Sequence, residues 1–286
     1  MSSATDLAAP TGSGDRRRVR PLWWIAGAAV VVVIGAVGTF TFFWLHSGAH
    51  GLAPSTAVQR FRLGERGEGG PEQPGPAQGV YRYRGSGSET VSVPPKTQSE
   101  GPVIPGTVID RPGGCFEFRL DYSDVHWQDW SYCQRSGALV TTSKAGYYLW
   151  DFVVLRIDDT STYTCQPAAV TIPATIVIGS RHAESCTGHN DHLSIGPVHM
   201  VGTSTVAAVS SFRVGATTER AVLIREAVTF SGGQQGSNSA STWFSEATGL
   251  PLRGTWSTVV STPSPVGTST LRAHGEFSLL SLTVER

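Results

Sequence analysis

The sequence predicts a mainly β protein: a curved antiparallel sheet or partial barrel, preceded by one transmembrane helix. Three observations support this fold class. Residues 22–45 are largely apolar and carry no charge. From Gly79 onward, apolar and polar residues alternate with period two, which is typical of half-buried strands. Turn residues recur roughly every 10–20 positions in the same region, as expected for successive hairpins.

Residues 22–45 form the predicted membrane span. A helix of this length is about 36 Å long, enough to cross a hydrocarbon core of about 30 Å. Arg16–Arg18 and Arg20 directly precede the span, and positive charge favours the cytoplasmic side. We therefore expect an integral single-pass signal anchor in the cell membrane, with its N-terminus inside. The alternative is a cleaved secretory signal, since residues 47–49 are small enough to suit a peptidase.

Composition divides the whole chain into four segments. Residues 1–21 are small and polar, and we predict a disordered cytoplasmic tail. Residues 46–79 contain a run rich in glycine and proline, which predicts a flexible linker. Residues 80–286 then form one extracytoplasmic β domain. The formal net charge of the chain is +0, so electrostatics give no reason to expect nucleic acid as a partner.

Residues 113–133, GGCFEFRLDYSDVHWQDWSYC, predict a hairpin in a defined register. One antiparallel alignment creates four favourable pairs at once. The pairs are Cys115 with Cys133, Phe116 with Tyr132, Phe118 with Trp130, and Arg119 with Asp129. Because successive side chains alternate between faces, the aromatic residues share one face and the cysteines share the other.

The four cysteines predict two disulfides. Three pairings are possible, and we expect the local one, with Cys115 bonded to Cys133 and Cys165 bonded to Cys186. All four cysteines follow the predicted span, which agrees with an oxidising compartment outside the membrane.

Period-two patterns predict further strands along the domain. Residues 219–230 contain several helix-favouring residues, but the glycine pair that follows and the β-rich neighbours favour a strand. The predicted strands are 138–142, 147–157, 174–178, 199–209, 211–214, 219–230, 240–245, 252–261 and 269–284. Asp158 and Asp159 are interpreted as part of a turn.

Residues 243–253, WFSEATGLPLR, and the strand 255–260 after them resemble a hairpin of lipoprotein-carrier-like domains of the LolA and LppX type. Members of that family have a curved antiparallel sheet that shields an acyl chain or lipid, so the resemblance implies lipid binding. The chain also resembles uncharacterised single-pass membrane-anchored proteins of high-GC Gram-positive bacteria. Its use of basic residues agrees with such a genome, because only Lys96 and Lys144 among 22 are lysines.

Motifs of common enzyme classes are absent from the sequence, including G-x-S-x-G, H-E-x-x-H and the P-loop. The one cluster of possible metal ligands lies in residues 181–192. His182, His189 and His192 are ligand types suited to zinc or copper, with Glu184 or Asp191 beside them. The simpler interpretation of this segment is a polar loop held by Cys186.

Aromatic residues offer a second candidate surface. Trp127, Trp130, Trp150 and the pair Tyr147–Tyr148 could form a platform for a sugar or a lipid. Packing in the core is the interpretation that we favour, since aromatic side chains bury large apolar areas.

These observations favour a non-enzymatic envelope protein with no cofactor. The leading hypothesis is that a lipid or other apolar ligand binds on the concave face of the sheet. The first alternative is an interaction or sensory module beside a membrane complex, with an envelope protein as its partner. The second alternative is a metal-dependent enzyme that uses residues 182–192.

Overall fold

The structure, a computed structural model, describes residues 49–65, 75–152, 156–264 and 267–286. Antiparallel β-structure dominates these residues, as the sequence predicts. The strands are β1 Gly79–Ser92, β2 Pro95–Glu100, β3 Val103–Arg111, β4 Cys115–Asp121, β5 His126–Arg135, β6 Ala138–Asp151, β7 Arg156–Ile172, β8 Arg181–Asn190, β9 Val198–Val214, β10 Thr217–Gly232, β11 Gln235–Ser245, β12 Pro251–Ser264 and β13 Gly267–Leu279.

The described strands form a closed barrel rather than an open or partial one. From β3 to β13, each strand pairs with the next along the chain. β2 and β3 pair with successive parts of β1 and therefore act as one interrupted strand. β13 returns to pair with β1, with Tyr83 opposite Leu279 and Val91 opposite Leu271. This seam closes a barrel of twelve strands, β1 and β3–β13, and leaves neither β1 nor β13 as a free edge.

The predicted hairpin of residues 113–133 is confirmed in its register. β4 and β5 pair Cys115 with Cys133, Phe118 with Trp130, and Arg119 with Asp129. The Phe118 and Trp130 rings stack inside the barrel with centroids 6.0 Å apart. The strand prediction for residues 219–230 is also confirmed, because they lie within β10.

Several local predictions were wrong. The strand predicted at 147–157 is two strands, since β6 ends at Asp151 and β7 begins at Arg156. The strand predicted at 269–284 ends at Leu279. Residues 174–178 belong to the loop between β7 and β8, and Val177 and Ile178 are exposed there. Asp158 and Asp159 lie in β7 rather than in a turn. Residues 181–190 form strand β8 rather than a polar loop. The last two segments are polar, so they lack the apolar alternation that would identify a strand, and pairing with neighbouring strands fixes them instead.

The two ends of the barrel differ in packing. We call the end with the turns at 112–114, 136–137, 215–216 and 246–250 the core end, and the opposite end the cavity end. Buried apolar side chains fill the core end, among them Tyr83, Phe118 and Leu252. At the cavity end the interior is only partly filled by protein side chains.

Part of the segment predicted to be a flexible linker is an ordered helix. α1, Pro54–Arg60, continues into a short π-helical segment, Phe61–Glu65, in which Gly64 has extended rather than helical backbone. Ala57 and Phe61 are buried against Val80 on the outer side of β1. Arg60 adds an ion pair to Asp121 of β4 at 3.0 Å. Seven residues are too few for a stable isolated helix, so packing against the barrel stabilises this one.

The predicted cytoplasmic tail and membrane span, residues 1–21 and 22–45, lie outside the described residues. Within the described residues, no helix combines the length and apolar character needed to cross a membrane.

Candidate functional site: the barrel cavity and its buried ionic clusters

A cavity of about 450 Å³ occupies the interior at the cavity end. Val93 and Pro94 from the β1–β2 turn border it, as do Leu193 and Gln234 from two other turns of the same end. Toward the core end, the Phe118 and Phe244 rings limit its depth. The cavity therefore has a closed floor and a mouth at the turns, and its volume lies in the range of small-molecule sites, about 300–1,000 Å³.

Most of the cavity wall is apolar. Near the mouth, Val91, Trp150 and Phe152 form a buried cluster to which Leu271 contributes. Nearer the floor, the wall consists of larger rings, including Trp130 and Tyr132. These side chains occupy alternate, inward-facing positions of several strands, and together they form a continuous apolar lining.

A charged cluster interrupts this wall. Lys144 extends from β6 to Glu184 of β8 at 2.5 Å and to Glu226 of β10 at 2.9 Å. Burial opposes the charge of Lys144, but the two carboxylates outweigh it and hold the pKa of the ammonium above its usual value. Burial raises the pKa of Glu184. The two carboxylates share one ammonium group, so they have carboxylate oxygens left over that can accept hydrogen bonds from a molecule in the cavity.

Asp159 is a second acidic group of the wall, and its hydrogen bonds hold the β8–β9 loop. Its Oδ1 accepts from the backbone N–H groups of His192 at 2.9 Å and Leu193 at 3.1 Å. Its Oδ2 accepts from Asn190 Nδ2 at 2.9 Å. Both oxygens of this carboxylate accept hydrogen bonds from the protein, so its role is to position the loop at the cavity mouth.

None of the protein-family models, curated proteins or solved structures compared with this chain matches it. Function is therefore inferred from the geometry of the described residues.

Beside the cavity wall, His126 lies buried between two carboxylates. Glu100 Oε1 is 2.5 Å from His126 Nδ1, and Glu89 Oε1 approaches the same nitrogen. Burial opposes the imidazolium, yet the carboxylates prevail and raise the pKa of His126 to about 9. Burial raises the pKa of Glu100 to about 8, while the imidazolium lowers the pKa of Glu89.

The structure does not bring together the three histidines that the sequence suggested as metal ligands. His182 and His189 lie seven positions apart in β8, so their side chains point to opposite faces of the sheet. His189 is exposed, with Nε2 3.7 Å from Asp191 Oδ1. His192 Nδ1 lies 2.9 Å from the carbonyl oxygen of Asp158. Metal binding by these residues stays a prediction that this arrangement does not favour.

The predicted disulfides are confirmed, whereas the prediction that the aromatic residues pack in the core is correct only in part. Cys115 is bonded to Cys133 and Cys165 to Cys186, as the local pairing predicts. The aromatic residues divide between the two faces of the barrel wall. Trp130, Trp150 and Tyr148 line the cavity, whereas Trp127 and Tyr147 stack with centroids 5.8 Å apart and face outward.

Sequence reasoning missed the roles of Lys144, Glu226, Glu89, Glu100 and His126. Lys144 carried a usable signal, because a charge at an inward position of an apolar strand implies a buried partner. Glu89 and Glu100 gave none, since each lies in a polar stretch of β1 or β2. Their proximity to His126 arises only when β1, β2 and β5 curve into the barrel.

Proposed function

We propose that this chain is a non-enzymatic, membrane-anchored protein of the cell envelope whose barrel binds an apolar or amphiphilic ligand, with lipid as the leading class. The observation that carries the proposal is the half-filled barrel. An apolar-walled cavity of about 450 Å³ with a closed floor is the kind of site that shields an apolar molecule from water.

The distribution of packing also supports ligand binding. The core end is filled by side chains such as Tyr83 and Leu252, which can stabilise the fold without help from the opposite end. A module that acted only through its outer surface would need no cavity of this kind. The alternative of an interaction or sensory module predicts a fully packed interior, and the cavity therefore favours the ligand hypothesis.

The charges of the wall narrow the chemistry of the ligand. Lys144 is already paired with Glu184 and Glu226, so it offers no free positive charge to an anionic group. Buried carboxylates repel a second anion in a medium of low dielectric constant. A neutral polar group can instead donate a hydrogen bond to Glu226, the more exposed of the two carboxylates. We therefore favour neutral over anionic ligands at this depth.

Filling the cavity tests the proposal directly. Ala240 lines the cavity from β11, and its neighbour Ser239 is exposed on the outer face. Ala240→Phe places a ring in the lumen, whereas Ser239→Phe adds the same ring outside. The probes are a brominated long-chain alcohol and the matching fatty acid, which quench the tryptophans of the wall on contact.

The measurement uses the full chain in lipid nanodiscs, with the variants compared under identical conditions. We expect saturable quenching by the alcohol in wild type and in Ser239→Phe, and affinity at least tenfold weaker in Ala240→Phe. The fatty acid should bind more weakly than the alcohol. Equal quenching in wild type and Ala240→Phe would mean that the signal comes from the bilayer, and ligand binding in the lumen would then be rejected.

A further inference from the structure

Glu89, Glu100 and His126 form a compact cluster of ligand-type atoms within the barrel wall. One atom from each residue lies within 4.8 Å of the other two. All three side chains have no exposed surface. They come from β1, β2 and the start of β5, so the barrel itself holds them together.

The protein alone does not satisfy this cluster. Glu89 Oε1 and Glu100 Oε1 both approach His126 Nδ1, but one N–H can make only one well-directed hydrogen bond. Glu100 Oε2 is buried and has no hydrogen-bond partner among the residues that the structure describes. Two carboxylates packed this closely in a dry site repel each other unless a proton or a cation lies between them.

We propose that Glu89, Glu100 and His126 bind a divalent transition-metal ion of the Zn²⁺ type. Two carboxylate oxygens and one imidazole nitrogen are suitable ligands for such an ion. The ion would displace the Nδ1 proton and lie between Nδ1 and the two carboxylate oxygens, which would move apart to admit it. It would replace the protons that His126 and Glu100 hold in its absence, and its two positive charges would balance the two carboxylates.

The surroundings of the cluster resemble the support that metal ligands need. Gln98 Nε2 donates to Glu89 Oε2 at 2.7 Å and fixes that carboxylate. Gln128 Nε2 lies 3.4 Å from His126 Nε2. If the amide turns over, its oxygen can accept the Nε2 proton, which leaves the Nδ1 lone pair for the ion.

Aromatic rings fix the plane of the imidazole. Tyr122 and Tyr148 stack on opposite sides of His126, with centroids 4.8 Å and 4.2 Å away. Glu100 occupies the place that a Cβ of Gly87 would take, so the glycine gives this carboxylate its room. These contacts hold the ring and the two carboxylates close together, so only short movements are needed for them to bind one ion.

Zinc binding to the full chain tests the proposal. Wild type is treated with a chelator, dialysed, and titrated with Zn²⁺ in a calorimeter, and retained zinc is counted by elemental analysis. We expect one retained ion per chain and a rise in Tm with Zn²⁺. Glu100→Gln keeps the shape of the side chain but removes its charge, and should weaken zinc binding by roughly tenfold or more.

The matched control is His189→Gln, which removes an exposed histidine from the segment that the sequence suggested. It should bind zinc as wild type does. If zinc binding is lost in His189→Gln, is unchanged in Glu100→Gln, or is absent from wild type, the proposal is overturned. Should Glu100→Gln fail to fold, ¹⁵N-histidine NMR of wild type replaces it. Zinc should then shift one buried imidazole nitrogen, and shifts confined to exposed histidines would reject the site.

Discussion

Lys144 connects three strands of the barrel through one side chain. Its ammonium reaches Glu184 and Glu226, and the three residues come from β6, β8 and β10. A buried ion pair costs desolvation free energy, so its presence alone says little about net stability. Removing one partner is different, because the other charges then remain buried without compensation.

We expect Lys144→Met to reduce the free energy of unfolding by about 3–5 kcal/mol. The variant leaves two carboxylates facing each other in the cavity wall. Adding Glu184→Gln to it should recover part of the loss. Urea denaturation followed by circular dichroism measures both effects.

The control for this prediction is Arg225→Met, which removes an exposed charge next to Glu226 in β10. It should change stability by about 0.5 kcal/mol or less. Equal losses for Lys144→Met and Arg225→Met would show that the cluster carries no special electrostatic role.

Asp129 lies on the outer face of β5 and should make the free energy of unfolding depend on pH. Burial, assisted by Glu117 and opposed by Arg119, raises the pKa of Asp129 to about 7. Between about pH 4 and pH 7 the folded chain holds this proton while the unfolded chain has lost it. The contribution of Asp129 to the free energy of unfolding therefore falls as the pH rises through this window.

Asp129→Asn should remove that penalty. We expect its Tm to exceed that of wild type at pH 8, by roughly 2–4 °C if the effect is about 1 kcal/mol, and to differ little at pH 4. Glu276→Gln, at an exposed site, serves as the control. A Tm difference between Asp129→Asn and wild type that is constant across pH would contradict this interpretation.

At the scale of elements, helix α1 shows how tertiary packing creates order in a sequence that predicts a linker. Phe61 and Ala57 are each 1% exposed, and they cover the outer side of β1 at Val80. The backbone of His50 also exchanges hydrogen bonds with Asp124. These contacts attach the segment that precedes the barrel to the β4–β5 end of its wall.

Phe61→Ala should detach this segment. Loss of a buried phenylalanine costs about 3–5 kcal/mol in protein cores, which exceeds what a seven-residue helix can retain. We expect amide hydrogen exchange of residues 55–61 to become fast while the strands stay protected. Leu63→Ala is the control, since Leu63 is 78% exposed, and it should leave exchange unchanged. Persistent protection in Phe61→Ala would mean that other contacts hold the helix.

At the scale of the whole molecule, closure of the barrel depends on the seam between β1 and β13. Gly85 pairs with Phe277 there. A Cβ on Gly85 would collide with the carbonyl oxygen of Glu276 and with Ile104 Cδ1. The glycine therefore permits the close backbone approach that seals β1 against β13.

Gly85→Ala should destabilise the closed barrel by about 1–3 kcal/mol through overpacking at the seam. Gly146→Ala is the matched control, because the nearest atom to its added Cβ is 3.8 Å away. Thermal unfolding of the two variants measures the difference. A Tm for Gly85→Ala as high as that of Gly146→Ala would show that the seam can open to accept a methyl group.

The sequence by itself determined the local structure of this protein. Alternation with period two and the turn residues predicted most strands, and residues 113–133 predicted a register that the structure confirms. The local disulfides were predictable for the same reason, since Cys115 and Cys133 face each other within one hairpin. Side-chain direction in a strand depends only on position, so such patterns can be read from the chain alone.

Only the tertiary structure decided which distant residues meet. Closure by β1 and β13 depends on the number, tilt and stagger of all the strands, and none of these is a local property. The same geometry brings Lys144 to Glu226 and His126 to Glu89, and leaves a cavity at one end of the barrel. These contacts join positions far apart in the sequence, and nothing in the local pattern of either partner specifies the other.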